Sequence, residues 1–460
     1  MTADAAGLAR RAFDSSPHVV RTLLVNLYGR RVAKERFRPP FAACFAWLEQ
    51  TQWWTPDEIE AFQTARLRRI VAAARENVPY YHALEGMRAM PARCSATDLA
   101  ALPLLTKDTL RRQATALVSD TTARRHPVRE RSSGTTGQRL EFLLPRLVAH
   151  SLDYALLYRF YGWAGVNVGD RRVTLGGRVL SARPPYWVHN RAENQLLFGV
   201  AHLNEDSVDD YIERMRSFAP VFVAAHPGPA AFIAERLLQR HERLPVRTVF
   251  TTGETLDPSQ REDIERAFRC EVFESYGSTE SVVAAFECEE HRGFHEAVEL
   301  GITELLPHSP ELRSVVGTSL WNDVMPFLRY STDDLVEPAP SQRCPCGRGL
   351  PLRFSRVVGR RDDILRTPDG RTVIPVAVRT LIKPQLLAHE TYQVQQLDRR
   401  SYRVLLAGAG GREPALTAGR ERSLETALRE VLGDEARVSI VGVDRIEAAS
   451  LKARTVVNLS

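Results

Sequence analysis

Ser132-Ser133-Gly134-Thr135-Thr136-Gly137 is the stretch on which the reading of this chain turns. Its glycines let the backbone turn tightly and bare its amides, and its serines and threonines add hydroxyl donors, a surface suited to phosphate oxygens. The loop lacks the lysine of a Gly-x-x-x-x-Gly-Lys-Ser/Thr phosphate loop, which excludes an ordinary Walker site. Taken alone, a hexamer of this composition is more often a surface turn. Its surroundings have to decide.

Working outward, Val128 to Val358 reads as short apolar strands alternating with Gly-, Ser- and Thr-rich turns and with helices, the text of an α/β domain. Val246 to Thr252 reads as a strand and Pro258 to Phe268 as a helix, and Glu271 to Phe273 begins the next strand. Before this, residues 1 to about 100 read as helical. Between Asp57 and Glu76, residues Ile59, Phe62, Leu67, Ile70 and Val71 fall mostly on one face, and Asn77-Val78-Pro79 stops the helix because the residue before a proline is pushed out of the helical region. After Gly359-Arg360 the pattern resets: strands at Tyr392 to Leu397 and Tyr402 to Leu406, a helix at Ser423 to Leu432, a strand at Arg437 to Val443. The expectation is an α/β fold with a large multi-layer N-terminal domain over 1–358 and a small α+β domain over 359–460.

Three further segments offer chemistry. Tyr276-Gly277-Ser278-Thr279-Glu280 follows a strand with an aromatic ring, hydroxyls and a carboxylate, and Glu280 has the ligand type to hold Mg²⁺ on a triphosphate. Arg329-Tyr330-Ser331-Thr332-Asp333-Asp334 ends a strand in paired carboxylates, which can accept from ribose hydroxyls. Arg356-Val357-Val358-Gly359-Arg360-Arg361-Asp362-Asp363 lies where the two domains meet.

Cys288-Glu289-Glu290-His291 and Cys344-Pro345-Cys346-Gly347 bring together three thiols and an imidazole, the number and type of ligands of a closed structural zinc site. His291 is the first choice of nitrogen ligand and His295 the alternative. Four protein ligands would leave no open position, so the expected role is structural. Ordinary reduced cysteines are the competing reading.

In this order the segments resemble the adenylate-forming superfamily of acyl-CoA ligases, and specifically its phenylacetate-CoA ligase-like and capsular-polysaccharide-biosynthesis-like branch. The resemblance spans nearly the whole chain. Asn77-Val78-Pro79-Tyr80-Tyr81, Ala101-Leu102-Pro103-Leu104-Leu105-Thr106-Lys107 and Met325-Pro326-Phe327-Leu328-Arg329-Tyr330 carry the branch in particular. It implies a large domain that binds ATP and an acid, and a small domain that rotates between adenylation and acyl transfer. It further implies that Ser132 to Gly137 cradle the phosphates, Glu280 assists Mg²⁺, and Tyr276, Gly277, Ser278 and Thr279 border adenine and the acyl group. Asp334 would take the ribose hydroxyls with Arg356 in support, Gly253-Glu254 would line the pocket, and Asp362 would be the hinge. The family's catalytic lysine, usually in a Gly-Lys pair, falls on Lys452 of Ser450-Leu451-Lys452-Ala453-Arg454, where Leu451 departs from the pattern. A mobile ammonium there would balance charge as the acid's carboxylate attacks the α-phosphorus.

The activity so implied is activation of an aryl or heteroaryl carboxylic acid as an acyl-AMP, then transfer to coenzyme A. Transfer to an amine or hydroxyl in a biosynthetic pathway is the alternative, and Leu451 would fit a non-catalytic nucleotide-binding descendant. The +6 charge arises from 62 basic and 56 acidic residues, with no concentrated basic stripe or recognition module, so nucleic acid is not an expected partner. No apolar run approaches a membrane span and no signal pattern opens the chain, which points to a cytoplasmic protein without membrane attachment. Either a monomer or a homodimer is compatible with the sequence.

Overall fold

The computed structural model describes residue 13 and residues 16–124, 126–132, 140–176, 184–382, 385–387, 390–408, 413–446 and 455–459. Three long helices open it: α1 (His18–Arg36), α2 (Pro39–Thr51) and α3 (Pro56–Asn77). The start of α3 is written in Thr55, which accepts from Glu58 N at 3.3 Å while the Glu58 carboxylate accepts from Thr55 N at 2.7 Å, with Pro56 as the first helical residue. Ile59, Leu67, Ile70, Val71 and Ala74 form its buried face, and the helix stops at Val78 before Pro79 as expected.

The strands, in chain order, are β1 (Val128–Arg131), β2 (Glu141–Leu144), β3 (Arg172–Gly176), β4 (Trp187–Asn190), β5 (Gln195–Gly199), β6 (Phe222–Ala225), β7 (Thr248–Thr252), β8 (Glu271–Gly277), β9 (Ala284–Glu287), β10 (Phe294–Glu296), β11 (Gly301–Pro307), β12 (Arg313–Ser319), β13 (Tyr330–Pro338) and β14 (Leu352–Arg360). β3 to β14 form one sheet in the order β11-β12-β13-β14-β10-β9-β8-β7-β6-β3-β5-β4. Its β5-β3-β6-β7-β8 portion is parallel, and the pairings from β8 to β11 are antiparallel. The parallel strands are apolar on both faces because helices cover both. Val173, Val223, Val249 and Val272 point into a core with α5 (Val208–Phe218), α6 (Pro227–Gln239) and α7 (Pro258–Phe268). Phe222, Phe250 and Phe273 point the other way, into a core with α4 (Asp153–Trp163).

A fully buried ion pair fixes α4: Arg159 Nη1 lies 2.5 Å from Glu299 Oε1 and also donates to Leu48 O at 3.3 Å. Thr51 donates to the same carboxylate, so its charge is shared among three elements.

Beyond β14, α8 (Pro375–Ile382) and α9 (Ala418–Leu432) pack on a separate sheet of β15 (Thr391–Gln396), β16 (Ser401–Ala407), β17 (Arg437–Val443) and β18 (Val456–Asn458), ordered β17-β16-β15-β18. Val394, Tyr402, Val404 and Leu406 meet Leu424, Leu428 and Leu432 in a core of its own. α9 starts earlier than its apolar period suggests because Thr417 caps it, accepting from Arg420 N at 3.3 Å.

Candidate active site

β8 ends at Tyr276-Gly277, and a tight turn returns the chain into β9. Ser278 Oγ accepts from Val282 N at 3.3 Å, and Ser281 takes a left-handed backbone (φ 52°). The turn places Thr279 and Glu280 at the end of the parallel sheet. Buried Glu280 accepts from the Tyr330 hydroxyl at 2.8 Å. Tyr276 reaches from the other side of the turn, its hydroxyl donating to Asp334 Oδ2 at 2.8 Å.

The neighbouring carboxylates Asp333 and Asp334 are separated by a bulge. β12 and β13 pair at Ser314–Leu335 and again at Val316–Ser331, so Val315 alone faces Thr332, Asp333 and Asp334. Asp333 adopts φ 64°, and the two side chains part. Asp334 goes to Tyr276, and Asp333 Oδ2 meets Lys107 Nζ at 2.9 Å. Lys107 also donates to Thr332 O at 2.9 Å. Burial pushes the Asp334 carboxyl above its ordinary range against the pull of Arg360, whose Nε stands 3.8 Å from Asp334 Oδ1. Burial and the adjacent Asp334 together drive the Tyr276 phenol well above its usual pKa, so it stays a donor.

Arg356 does not stand against Asp334. It pairs with Glu337, two strand periods from Arg360, and Arg360 is the residue registered opposite Asp334 on β14. Gly253, with φ 79°, turns the chain after β7, and Glu254 accepts from Gly228 N at 3.4 Å. Ser132 closes the base of the serine-threonine loop, its N–H donating to Leu140 O at 2.9 Å and its Oγ accepting from Leu140 N at 3.0 Å. Ser133, Gly134, Thr135, Thr136 and Gly137 lie outside the described residues, as do Leu451 and Lys452 and the side chain of Asp362. The backbone of Asp362 belongs to the short 3-10 turn Arg361–Asp363 that follows β14.

The branch-marking segments meet here. Tyr81 donates to Pro326 O at 2.8 Å, Leu105 N donates to Arg329 O at 2.9 Å, and Ser331 N donates to Leu105 O at 3.0 Å. Lys107 is thereby carried to the site, a role that the sequence reading had not given it. Arg360 and Asp153 were also missed. Asp153, on the first turn of α4, accepts from Ser281 Oγ at 2.8 Å, and burial pushes its carboxyl up to about 7. No motif surrounds it that would have marked it.

Alongside, at the carboxyl ends of the parallel strands, lies a cavity of about 240 Å³. This is where open α/β sheets bind ligands. Gly176, His226, Thr252 and Ser275 stand at strand ends around it, with Tyr154, Leu157 and Tyr161 of α4 on one wall. His226 Nδ1 is 2.8 Å from Thr252 O, so this nitrogen is the donor of the pair.

Some distance along the sheet, Cys288, His295, Cys344 and Cys346 bring their ligand atoms within 4.8 Å of one another. His295, not His291, is the histidine that joins the thiols. His291 sits in a turn with φ 48° and faces Glu287 Oε1 at 3.2 Å, whereas His295, on β10, lies 3.5 Å from Cys346 Sγ through Nε2. His295 Nδ1 donates to Leu350 O at 2.6 Å, which leaves Nε2 as the ligand atom, the usual arrangement behind a metal-binding imidazole. The set fits zinc.

No family model matches the chain. Protein CapK of Staphylococcus aureus is 24% identical over 390 residues, covering 81% of this chain and 82% of that protein. The phenylacetate-coenzyme A ligase of Aromatoleum evansii is 25% identical over 446 residues, covering 89% and 97%, and that of Thermus thermophilus is 26% identical over 380 residues, covering 74% and 78%. Among solved structures, 2-hydroxyisobutyryl-CoA ligase in its postadenylation state, in complex with R3-HIB-AMP, superposes with a TM-score of 0.65 at 18% identity, covering 88% of this chain and 90% of that one. That likeness establishes the fold, an α/β architecture with a smaller C-terminal part. The relatives agree with the resemblance read from the sequence: over most of its length the chain is similar to phenylacetate-coenzyme A ligases and to CapK. Among the described residues no helix is long and apolar enough to cross a membrane.

Proposed function

We propose that the chain is an adenylate-forming ligase that activates an aryl or heteroaryl carboxylic acid with ATP and passes the acyl group to coenzyme A. The observation that carries this reading is the joint placement of Tyr276, Glu280 and Asp334 beside a cavity large enough for a small acid. The acid's carboxylate oxygen attacks the α-phosphorus, the bond to the leaving pyrophosphate breaks, and an acyl-AMP results. The coenzyme A thiol then adds to the acyl carbon, gives up its proton, and displaces AMP.

In this reading Ser132 to Gly137 receive the phosphates and Asp334, held by Tyr276, accepts from the ribose hydroxyls. Arg360 rather than Arg356 takes the supporting place, because it is the one facing Asp334. Glu280 would hold Mg²⁺, which would supply neutralisation of phosphate charge, and Tyr330 fixes the direction of that carboxylate. Lys107 anchors the Asp333 bulge. Lys452 supplies the cation for the adenylation step, and Asp362 is the pivot for the small domain. Cys288, His295, Cys344 and Cys346 hold a structural zinc ion that ties β9 and β10 to the segment before β14.

A second reading keeps the adenylation and passes the acyl group to an amine or hydroxyl acceptor. One experiment addresses both: pyrophosphate release from ATP and Mg²⁺ over a panel of aryl, amino-aryl and fatty acids, with and without coenzyme A. Acid-dependent release with a thioester product supports the first reading. Release without thioester supports the second, and no release with any acid overturns both.

A further inference from the structure

The cavity has a polar end whose hydrogen-bond direction is fixed by the protein. Successive residues of a strand alternate between faces, so Arg172, Thr174 and Gly176 of β3 share the face turned toward α4. Ala224 is registered beside Thr174, and Phe250 beside Ala224, which gives a floor with one small residue flanked by a ring. Tyr154, Leu157 and Tyr161 roof it from α4. At about 240 Å³ the space falls below the roughly 300 Å³ where drug-sized pockets begin, and it suits a compact ring better than a long chain.

Arg172, buried at the start of β3, ends this slot on the side away from the strand termini. Its Nη2 lies 2.5 Å from Glu193 Oε2 and its Nη1 donates to the Tyr158 hydroxyl at 3.1 Å. The remaining donors face Gln195, whose amide is assigned from its neighbours. With its oxygen inward, Gln195 accepts from Arg172 Nε at 3.1 Å and Nη2 at 3.2 Å, and from Thr174 Oγ1 at 2.8 Å. Thr174 thus spends its one proton on Gln195, and only lone pairs remain for the cavity. Glu193, Arg172 and Gln195 act as positioning residues that turn the Thr174 hydroxyl into an acceptor.

We propose that the cavity selects a ring-bearing carboxylic acid with a hydrogen-bond donor, a hydroxyl or amino group, remote from its carboxylate, and that Thr174 is the residue that reads this donor. The inference rests on the cavity being the acid site of the proposed ligase. An acid with a methyl group at that place would leave the Thr174 lone pairs without a donor, the kind of asymmetry by which polar pockets reject analogues.

The test compares hydroxy- and amino-substituted benzoic, phenylacetic and cinnamic acids with their methyl counterparts, in ortho, meta and para positions, by pyrophosphate release. The best donor-bearing acid should exceed its methyl counterpart at least about tenfold in kcat/KM. Thr174→Val should collapse that ratio toward one, and Thr174→Ser, which keeps the hydroxyl, should restore it. The same pairs are compared without ATP by the shift each gives in thermal unfolding. No release with any acid would sink the ligase reading, while a larger unfolding shift from the donor-bearing acids would still support the cavity's preference. Equal behaviour of donor and methyl acids in both measurements, or a ratio unmoved in Thr174→Val, overturns the inference.

Discussion

The Tyr276 hydroxyl and Asp334 Oδ2 are 2.8 Å apart although their strands, β8 and β13, are separated in the sheet by β9, β10 and β14. In a flat sheet such strands would lie about 19 Å apart, at ~4.8 Å per step. The antiparallel half must therefore curl back over the end of the parallel half. The edge-on packing of Tyr276 against Phe354 of β14, with centroids 5.5 Å apart, fills the inside of that curl. The site is made by sheet curvature as much as by loops.

Tyr276→Phe keeps the ring in this curl and removes the donor, leaving the buried Asp334 carboxylate without one of its partners. Losing one partner of a charged hydrogen bond costs about 1–3 kcal/mol. Under the proposed function, KM for ATP should rise by roughly tenfold, with the acid's KM much less affected. Initial-rate kinetics in both substrates would check it, and an unchanged KM for ATP would remove Asp334 from nucleotide binding.

Metal analysis of the purified protein tests the cysteine-histidine cluster. The expected content is about one zinc per chain, as a closed four-ligand site holds. Cys346→Ser and His295→Ala should each lose the metal and unfold at lower temperature, whereas His291→Ala should keep it. Retention in His295→Ala together with loss in His291→Ala would reverse the ligand assignment made from the 3.5 Å approach of His295 to Cys346.

Much of this arrangement was legible in the chain because its signals are local. The α3 stop, the helix Pro258–Phe268 and the strand Arg437–Val443 all lie where residue type and period placed them. The family segments also pointed to Tyr276, Glu280 and Asp334, which the structure does bring together. The pairing partners were not legible. Arg356 and Arg360 lie on one strand and look alike in sequence, and only the register shifts between β13 and β14 decide which one faces Asp334. The choice between His291 and His295 likewise depended on a strand pairing, because spacing from Cys288 favoured the nearer residue while β10 carries the farther one to the thiols.

The Arg159–Glu299 pair supports the cavity through α4, whose Tyr154, Leu157 and Tyr161 form the roof. Both side chains are wholly buried, so Glu299→Ala leaves a guanidinium in the core without its carboxylate, beside the Leu48 carbonyl and the Trp163 ring. Removing one partner of such a pair costs about 3–5 kcal/mol. Chemical denaturation should show a loss of that size, and a loss under ~1 kcal/mol would mean that water reaches Arg159.

Asp153 lends itself to a pH test. Burial raises its carboxyl to about 7 from 3.8, so the native state favours the protonated form. The stability this gives is fully present below the unfolded value and is lost as pH rises through the folded one. Asp153→Asn stays neutral and can still accept from Ser281, so it escapes the cost of ionisation. Because the loss runs from 3.8 to about 7, the variant's denaturation midpoint should exceed that of the parent protein by clearly more at pH 8 than at pH 5. Because Glu274, raised to about 8 by burial and by Glu287, titrates in both proteins, the difference between them isolates Asp153. An advantage for the variant that is equal at both pH values would mean that packing, not ionisation, separates the two. No advantage at pH 8 would mean that solvent reaches the carboxylate beside Ser281 and holds its pKa near the ordinary value.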